Sequence, residues 1–600
     1  MIRISKIALG MLVLFLLFVS LGSLVTTSEI VKDKAATPIT PVPIATTPVA
    51  FAPIVNINDL PLQDNKNVFQ YDDPGSVVVV YITARKGNLL ENTNYTWTEV
   101  NAFSKWTNGS RSANDIVGEA EVIVQFGDES GPLPGELGYG AVVPNGTIQI
   151  RGASSSSSKH QKSYKIELFE GAGNWRGQTT FALNKHIYDI SRIRNKLSFD
   201  LMKLVPNMLS LRTQFVHLYV KDETATPVST KFVDLGLFTQ VEQVNKTFLK
   251  NHLLDRNAQL YKATSFEFDR YADQIRMADD PLYNEAEFSH RLEIKGSRDH
   301  SKLIQMLDDI TNEEIPIEQS FEKYFDSDNY FTWMAFNILV GNVDTQNQNF
   351  FLYSPQNSEK WYFLPWDYDD SLFRQRRTEA GEYPYLPWEV GIANYWGGIL
   401  HNRVMRSDVY RQKLTDKMNE LITILTPERI QSLLDIYRPV VEPIIFSLPD
   451  VRYLPGSKAE FNSSYSLIPS EIQNNYNLYL ETLNMPMPFY LGTPVVSAGV
   501  LTFEWEEAYN FTPQSITYHF EVSRDPRFTS IIYQADTVNV TTLDVPLFDP
   551  GNYFWRVLAV NEAGKVQYAF DDYEDADGYP YGGLKLFTIT PDGDVTENSK

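Results

Sequence analysis

The sequence predicts an α+β chain in which a β-rich part, a helix-rich part and an all-β part follow one another. Three observations predict it. β-branched runs such as Val77–Thr83 (VVVVYIT) mark the first part, 3.6-residue periodicity marks the second, and short alternating strands return from about Pro488. At 600 residues the chain is too long for one hydrophobic core and implies two to four units.

The first 74 residues precede any predicted element. Arg3 and Lys6 stand before an apolar run from Ile7 to Leu21, which reads as an export signal spanning residues 1–28. The run can be stretched to Val25, about long enough to cross a bilayer, and no A-x-A site follows, so the alternative is an uncleaved transmembrane anchor. No cysteine follows the run, so lipid modification there is excluded. Residues 29–74 include TPITPVPIATTPVAFAP, an uncharged Pro/Thr/Ala stretch that predicts an extended linker.

Strands are then predicted at Val77–Thr83, Glu121–Phe126 and Thr147–Gly152. Alternation in Lys162–Leu168 places Lys162 and Tyr164 on one face and Ser163 and Lys165 on the other. Ser191–Val205 carries a helical stripe behind Ser191 as cap, and strands return at Phe215–Val220 and Gly236–Val241. Helical patterns follow at Lys302–Thr311, Ile317–Phe325, Asp328–Val340, Arg403–Leu425, Pro427–Tyr437 and Ser470–Leu483. Leu501–Trp505, Thr517–Ser523, Ile531–Tyr533 and Asn552–Ala559 are spaced like sandwich strands.

Composition excludes several functions. Lys and Arg number 52 against 75 Asp and Glu, and a net charge of −23 disfavours a nucleic-acid partner. With no cysteine there is no disulfide, thiolate nucleophile or Cys-ligated metal. The eight histidines form no H-x-x-x-H pair, and neither a Walker loop nor a G-x-S-x-G elbow is present. Chemistry falls to oxygen and nitrogen groups.

The segment ILVGNVDTQNQNFFLYSPQNSEKWYFLPWDYDD holds the most informative pattern. Asp344 is followed five positions later by Asn349, and Asp367 comes after a hairpin-like stretch. This D-x-x-x-x-N…D order is the one with which protein kinases place a base and two metal-binding side chains. Mg²⁺ takes oxygen ligands, and a carboxylate plus an amide oxygen leave room for phosphate. Asp and Asn also form ordinary turns, so the spacing alone is weak. The apolar helix before it and the aromatic walls around Asp367 strengthen it.

With these pieces in view the chain resembles the spore coat protein H (CotH) kinase family. The resemblance rests on RGASSSSSKHQKSYKIEL, NWRGQTTFALNKHIYDISRIRNKLSFDLM, GLFTQVEQVNKTFL, GNVDTQNQNFFLY and WYFLPWDYDDS, in that order from Gly152 to Ser371. It implies an atypical two-lobed protein-kinase-like fold over residues 75–487, with a β-rich N-lobe and a helical C-lobe. It also implies ATP and Mg²⁺ (or Mn²⁺) as cofactors, and phosphotransfer to Ser/Thr hydroxyls of a surface or coat protein.

The roles it implies are Asp344 as catalytic carboxylate and Asn349, Asp367 and Asp369 as metal ligands. Arg151 and Gly152 would open a hairpin over the nucleotide phosphates. Lys162 or Lys165 would contact phosphate, and Glu242 would be an ion-pair or metal partner. On the residues alone, the serine run is equally a linker, each lysine a solvated charge and Glu242 a solvated strand end. Arg194 or Asn195 is expected to tie its helix to the motif strands.

Many family members carry Trp where this chain has Val343. Tyr383–Gly398 reads as a substrate-facing lid or as a loop packed on the helices. From Pro488, LTFEWEEA, TYHFEVSRDP and PGNYFWRVLAVNEAG resemble a fibronectin type III module over residues 488–592, an immunoglobulin-like β-sandwich. Trp505, Tyr553 and Trp555 are its expected core aromatics, and its expected role is to space the chain or bind a cell-surface protein or polysaccharide. Besides the exported kinase, two readings remain: a catalytically silent surface scaffold and a nucleotidyl transferase.

Overall fold

The computed structural model describes residues 62–107, 110–111, 117–152, 154–374, 386–576 and 578–597. The export or anchor segment lies outside the described residues. Among the described residues no helix is long and apolar enough to cross a membrane.

The class is mixed α+β. Eight strands form the first sheet: β1 (Val77–Arg85), β2 (Ala120–Asp128), β3 (Gly131–Pro132), β4 (Gly146–Arg151), β5 (Ser163–Leu168), β6 (Thr180–Asn184), β7 (Thr213–Asp222) and β8 (Val233–Glu242). Their order is β1-β7-β8-β6-β5-β4-β2-β3, and β1 also pairs with β2. The pairing therefore closes seven strands into a barrel, with β1 and β7 its parallel pair. Closure gives the strands one face inside the barrel and one outside, and several are buried on both. Val80, Ile82, Val122, Val124, Ile148, Tyr164, Ile166, Leu183, Val216 and Leu218 fill one shared core, while Ala182, Phe215, Leu237 and Val241 join the larger helical core.

A second sheet has the order β10-β9-β11-β12, from β9 (Gln259–Ala263), β10 (Leu292–Ile294), β11 (Phe350–Ser354) and β12 (Tyr362–Pro365). Around it run α1 (Arg194–Met202), α2 (Ser301–Thr311), α3 (Ile317–Tyr324), α4 (Ser327–Val340), α5 (Ile399–Arg406), α6 (Asp408–Ile424), α7 (Pro427–Ile445) and α8 (Lys458–Thr482). α4 is buried along nearly its whole length and ends on Gly341, whose φ of 65° closes the helix just before the motif loop.

Several expectations need correction. The linker read through residue 74 ends earlier, because Leu62 is in the main core and Asp64 is bonded to His252. Ser191 does not cap α1; buried Asp189 does, accepting from the backbone N–H groups of Ser191, Ile193 and Arg194. The helix read at Arg403–Leu425 is two helices, broken at extended Ser407. α7 runs past Pro439 and Pro443 because both prolines face solvent while Tyr437, Val441 and Ile445 continue its buried stripe. β9 was hidden in a stretch read as largely helical.

The C-terminal strands form a three-stranded sheet (Val495–Ser497, Val500–Glu504, Thr542–Pro546) and a six-stranded one that includes Ile516–Ser523, Ile531–Val538, Gly551–Asn561 and Leu584–Ile589. Trp505, Tyr553 and Trp555 are buried in their common core, and the Tyr553 hydroxyl donates to the Asp549 carbonyl at 2.6 Å. These strands are not held apart from the rest. Phe570 packs on Trp388, and Trp396 stacks on Tyr509. The described part of Tyr383–Gly398, residues 386–398, is thus packed, with Trp388, Ile392, Tyr395 and Trp396 buried.

One buried ion pair joins the barrel to the helical part. Asp450, just beyond α7, lies 2.6 Å from Lys185 Nζ, accepts from Gln161 Nε2 at 3.2 Å and from Leu237 N at 2.7 Å. Gly236 makes room for it: at φ 77° it has no Cβ, and a Cβ would lie 2.2 Å from the Asp450 carboxylate. Burial pulls the Lys185 amine down to about 8 despite this partner. Asp450→Asn leaves that charge buried without a counter-ion, and is expected to lower unfolding stability by about 3 kcal/mol or more. Urea denaturation of the variant beside the parent protein measures this.

Candidate functional site

A cleft of ≈ 590 Å³ opens between the barrel and the second sheet. The barrel contributes Gln149, Arg151 and Gly152 from the end of β4, Lys165 and Glu167 from β5, and Gln243–Asn245 beyond β8. The second sheet contributes Lys262 from β9, Glu293 beside it, and Gln348, Asn349, Phe351, Trp366 and Asp367 from the motif region. Asn349 and Asp367, separated in sequence by the β11–β12 hairpin, thus line one cavity.

The motif loop is held by amides and hydroxyls. Asn342 Nδ2 donates to the Asp367 carbonyl at 3.1 Å, and Asn394 Nδ2 to the Val343 carbonyl at 3.0 Å. Thr345 Oγ1 bonds the Asn342 carbonyl and the Tyr395 hydroxyl. Val343 is therefore secured through its backbone. Asn349 Nδ2 donates to Asp344 Oδ2 at 3.3 Å, which leaves its Oδ1 as the amide's ligand atom. Asn349 and Asp367 both have φ of 56°, a left-handed backbone that Asn and Asp tolerate better than other side-chain-bearing residues.

Charge is concentrated at Asp367. Burial, then the neighbouring Asp369 carboxylate, pushes its pKa up to about 6, against the pull of Arg151, Lys262 and His186. Asp369 is half-exposed and lies 3.4 Å from His186 Nδ1. The Trp366 ring lies beneath two cations: the Arg151 guanidinium and Lys262 Nζ are each 5.8 Å from its centroid. Burial lowers the pKa of both, although Asp367 supports their charged forms.

This donor set fits a divalent cation such as Mg²⁺. It is all oxygen, and it places a half-buried carboxylate beside a second one. Among the described residues no group of three or more His, Asp or Glu forms a cage by itself.

The two lysines separate as their alternation requires. Lys165 faces the cleft, with its Nζ 2.6 Å from Glu167. Lys162 points the other way. Its buried Nζ donates to the Phe103 carbonyl at 3.1 Å and to the Ser156 carbonyl, so the phosphate role is not its own. The serine run is not a linker: Ser154–Ser157 form a 3₁₀ turn, with Ser156 fully buried. Gly152, at φ 85°, enters that turn, where a Cβ would meet Ser155 Oγ at 2.2 Å.

Glu242 also differs from expectation. It is buried, pairs with Arg212, and accepts from His252 Nε2 at 3.1 Å; the other His252 nitrogen lies 2.6 Å from Asp64. It is an ion-pair partner, but of a structural network rather than of the cleft lysines. Of the two candidates for tying α1 to the motif, Arg194 does so, donating from Nε to the Leu372 carbonyl at 3.1 Å. Both amide atoms of buried Asn195 are without a partner. Sequence reading missed Lys262, Glu293 and His186. Lys262 is the costly omission, and the Q-L-Y-K-A alternation of β9 was the available signal.

A family model described as CotH kinase protein matches residues 148–479, which include every motif element of the cleft. The inner spore coat protein H of Bacillus subtilis (strain 168) is 25% identical over 297 residues, 49% of this chain and 77% of that protein. Among solved structures, the Helicobacter pylori proinflammatory kinase CtkA aligns with 10% identity and a TM-score of 0.27, over 53% of this chain and 94% of that one. The Shewanella oneidensis MR-1 toxin–antitoxin system HipA, HipB with its operator DNA aligns with 12% identity and a TM-score of 0.26, over 60% and 75%.

The lysine assignments are separable by experiment. Lys165→Ala and Lys262→Met are each expected to weaken nucleotide binding about tenfold or more, the worth of one charge-assisted contact. Lys162→Ala is expected to lower the unfolding midpoint while changing nucleotide affinity less than about threefold. Titration calorimetry and thermal unfolding of the three variants check both statements.

The His252 network carries a pH signature. Burial pulls the His252 pKa down, but the bonds to Asp64 and Glu242 outweigh it and hold it above the ordinary value. Its stabilisation is therefore complete below the ordinary histidine range and is lost as pH rises through the raised pKa. Burial raises Glu242, yet His252 and Arg212 bring it down to about 2, so its share is lost only in strong acid. The midpoint difference between the parent and His252→Gln is expected to be largest near about pH 6 and to shrink by about pH 9. Scanning calorimetry across that range reads it.

Proposed function

The chain belongs to the CotH kinase protein family, and on that premise we propose that it transfers the ATP γ-phosphate to Ser/Thr hydroxyls of a protein substrate. One observation carries the reading: Asn349, hydrogen-bonded to Asp344, lines the same cleft as Asp367 and a set of cations that includes Arg151, Lys165 and Lys262. The barrel would serve as the N-lobe and the helical part as the C-lobe of a kinase-like fold over residues 75–487.

Lys165, Lys262 and Arg151 bind phosphate oxygens, and Trp366 keeps the latter two aimed into the cleft. Asn349 Oδ1, Asp367 and Asp369 would hold Mg²⁺, which when bound supplies neutralisation of phosphate charge. Asp344 orients the acceptor hydroxyl and takes its proton as the oxygen bonds to phosphorus and ADP leaves. Positioning and charge account for the rate, with no covalent enzyme intermediate.

The N-terminal 28 residues direct export, and a surface or coat protein is the proposed acceptor, in keeping with the coat protein among its relatives. The strands of residues 488–592 are proposed to be a fibronectin type III-like sandwich. The test is Mg²⁺-dependent transfer of label from γ-labelled ATP to protein. The parent protein is expected to transfer label, and Asp344→Asn and Asp367→Asn to reduce transfer by about a hundredfold or more. Label arriving from the α-phosphate instead points to nucleotidyl transfer, and nucleotide binding without any transfer points to a scaffold.

A further inference from the structure

A second cavity, ≈ 670 Å³, shares no residue with the cleft and is lined by the 65–71 segment, the 135–137 turn, residues 174–177, Arg212 and Asn251. Two guanidinium groups face it in a chain whose net charge is −23. Arg176 packs on Trp175, 4.5 Å from the indole centroid. Its Nη1 bonds the Tyr71 carbonyl and Gln214 Oε1, each at 3.3 Å, and its Nε and Nη2 have no partner among the described residues. Arg212 is 7% exposed, gives one arm to Glu242 and another to the Arg176 carbonyl, and keeps a buried Nε with no partner. An unpaired buried donor is costly, and paired guanidinium donors suit a carboxylate or phosphate.

The rest of the wall suits hydroxyls. Gly177 clamps two amides from opposite ends: its N–H donates to Asn174 Oδ1 at 2.8 Å and its carbonyl accepts from Asn251 Nδ2 at 2.9 Å. That leaves Asn174 Nδ2 as a donor and Asn251 Oδ1 as an acceptor, both fixed in direction. The space far exceeds that of a lone phosphate, and it falls in the range of small-ligand pockets. The exposed Tyr71 ring at the rim offers a face to sugar C–H groups. Glu136, the acidic residue on the wall, lies close enough to Arg176 to favour its charged form.

We infer that this cavity is a second ligand site, one that binds a saccharide bearing a carboxylate or phosphate. Arg176 takes the anionic group through its free Nε and Nη2, Arg212 adds positive charge from the wall behind it, and the two clamped amides read ring hydroxyls.

The test is titration calorimetry of the full chain with glucuronate, glucose 6-phosphate, glucose and inorganic phosphate. The acidic sugars are expected to bind at least tenfold more tightly than glucose, and glucose 6-phosphate more tightly than phosphate alone. Arg176→Ala is expected to lose at least tenfold. Glu136→Gln, which removes the opposing charge, is expected to tighten acidic-sugar binding severalfold, a gain that a folding defect cannot imitate. Asp344→Asn is expected to leave these affinities unchanged, which separates this site from the kinase reading. Absence of acidic-sugar binding, equal binding of glucose, phosphate alone matching glucose 6-phosphate, or weakened binding by Glu136→Gln overturns the inference.

Discussion

The Lys185–Asp450 pair fixes the geometry on which the rest depends. A buried carboxylate just beyond α7 is bonded to the backbone of β8, to a glutamine beside β5 and to the lysine that follows β6. Each ion alone would be costly where it sits, so the pair is worth most as a joint that admits one docking of barrel on helices. That docking decides the cleft. Arg151 and Lys165 come from the barrel side of it, and Asn349, Asp367 and Lys262 from the other. A small rotation at the joint would separate Arg151 and Lys165 from Asn349 and Asp367 across the cleft.

Within the cleft, local charge runs against the global field. The chain is strongly acidic, yet Arg151 and Lys262 crowd over one indole ring and Lys165 lies on the opposite wall. At about 8 Å of screening length in physiological salt, the distant acidic surface is largely hidden from a phosphate inside. The anions that matter are local: Asp367, Asp369, Glu167 and Glu293. They offset the cations of the cleft within the same few ångströms, so the local field there is mixed rather than uniformly positive.

Much of this was legible because it is periodic or motif-bound. Barrel strands with one face inside and one outside alternate, and α2 and α3 show apolar stripes because one side of each meets the core. The D-x-x-x-x-N…D order pointed to Asn349 and Asp367, which line one cavity, and alternation from Lys162 onward sent Lys165 but not Lys162 to the cleft. What escaped has physical reasons. β9 is five residues long with both neighbours distant in sequence, so its pairing, and with it Lys262, is set by tertiary contact. The roles of Glu242 and Ser191 turned on partners far away or on a competing cap, Asp189, two residues earlier. Pro439 and Pro443 misled because a proline's missing bond matters less on a solvent-facing side than the apolar stripe beneath it.

The C-terminal strands change meaning through their contacts. As a tethered spacer they would leave residues 386–398 free to move over the cleft. Instead Phe570 and Tyr490 close on the 388–397 stretch, and Trp396 is held between the core and Tyr509. The same stretch supplies Asn394 and Tyr395, which hold the backbone of Val343 and the hydroxyl of Thr345 on either side of Asp344. Packing on one face of this segment therefore supports hydrogen bonds on the other. The β-rich end of the chain reaches the motif loop through a layer of aromatic side chains, which makes it part of the frame that holds the backbone on either side of Asp344.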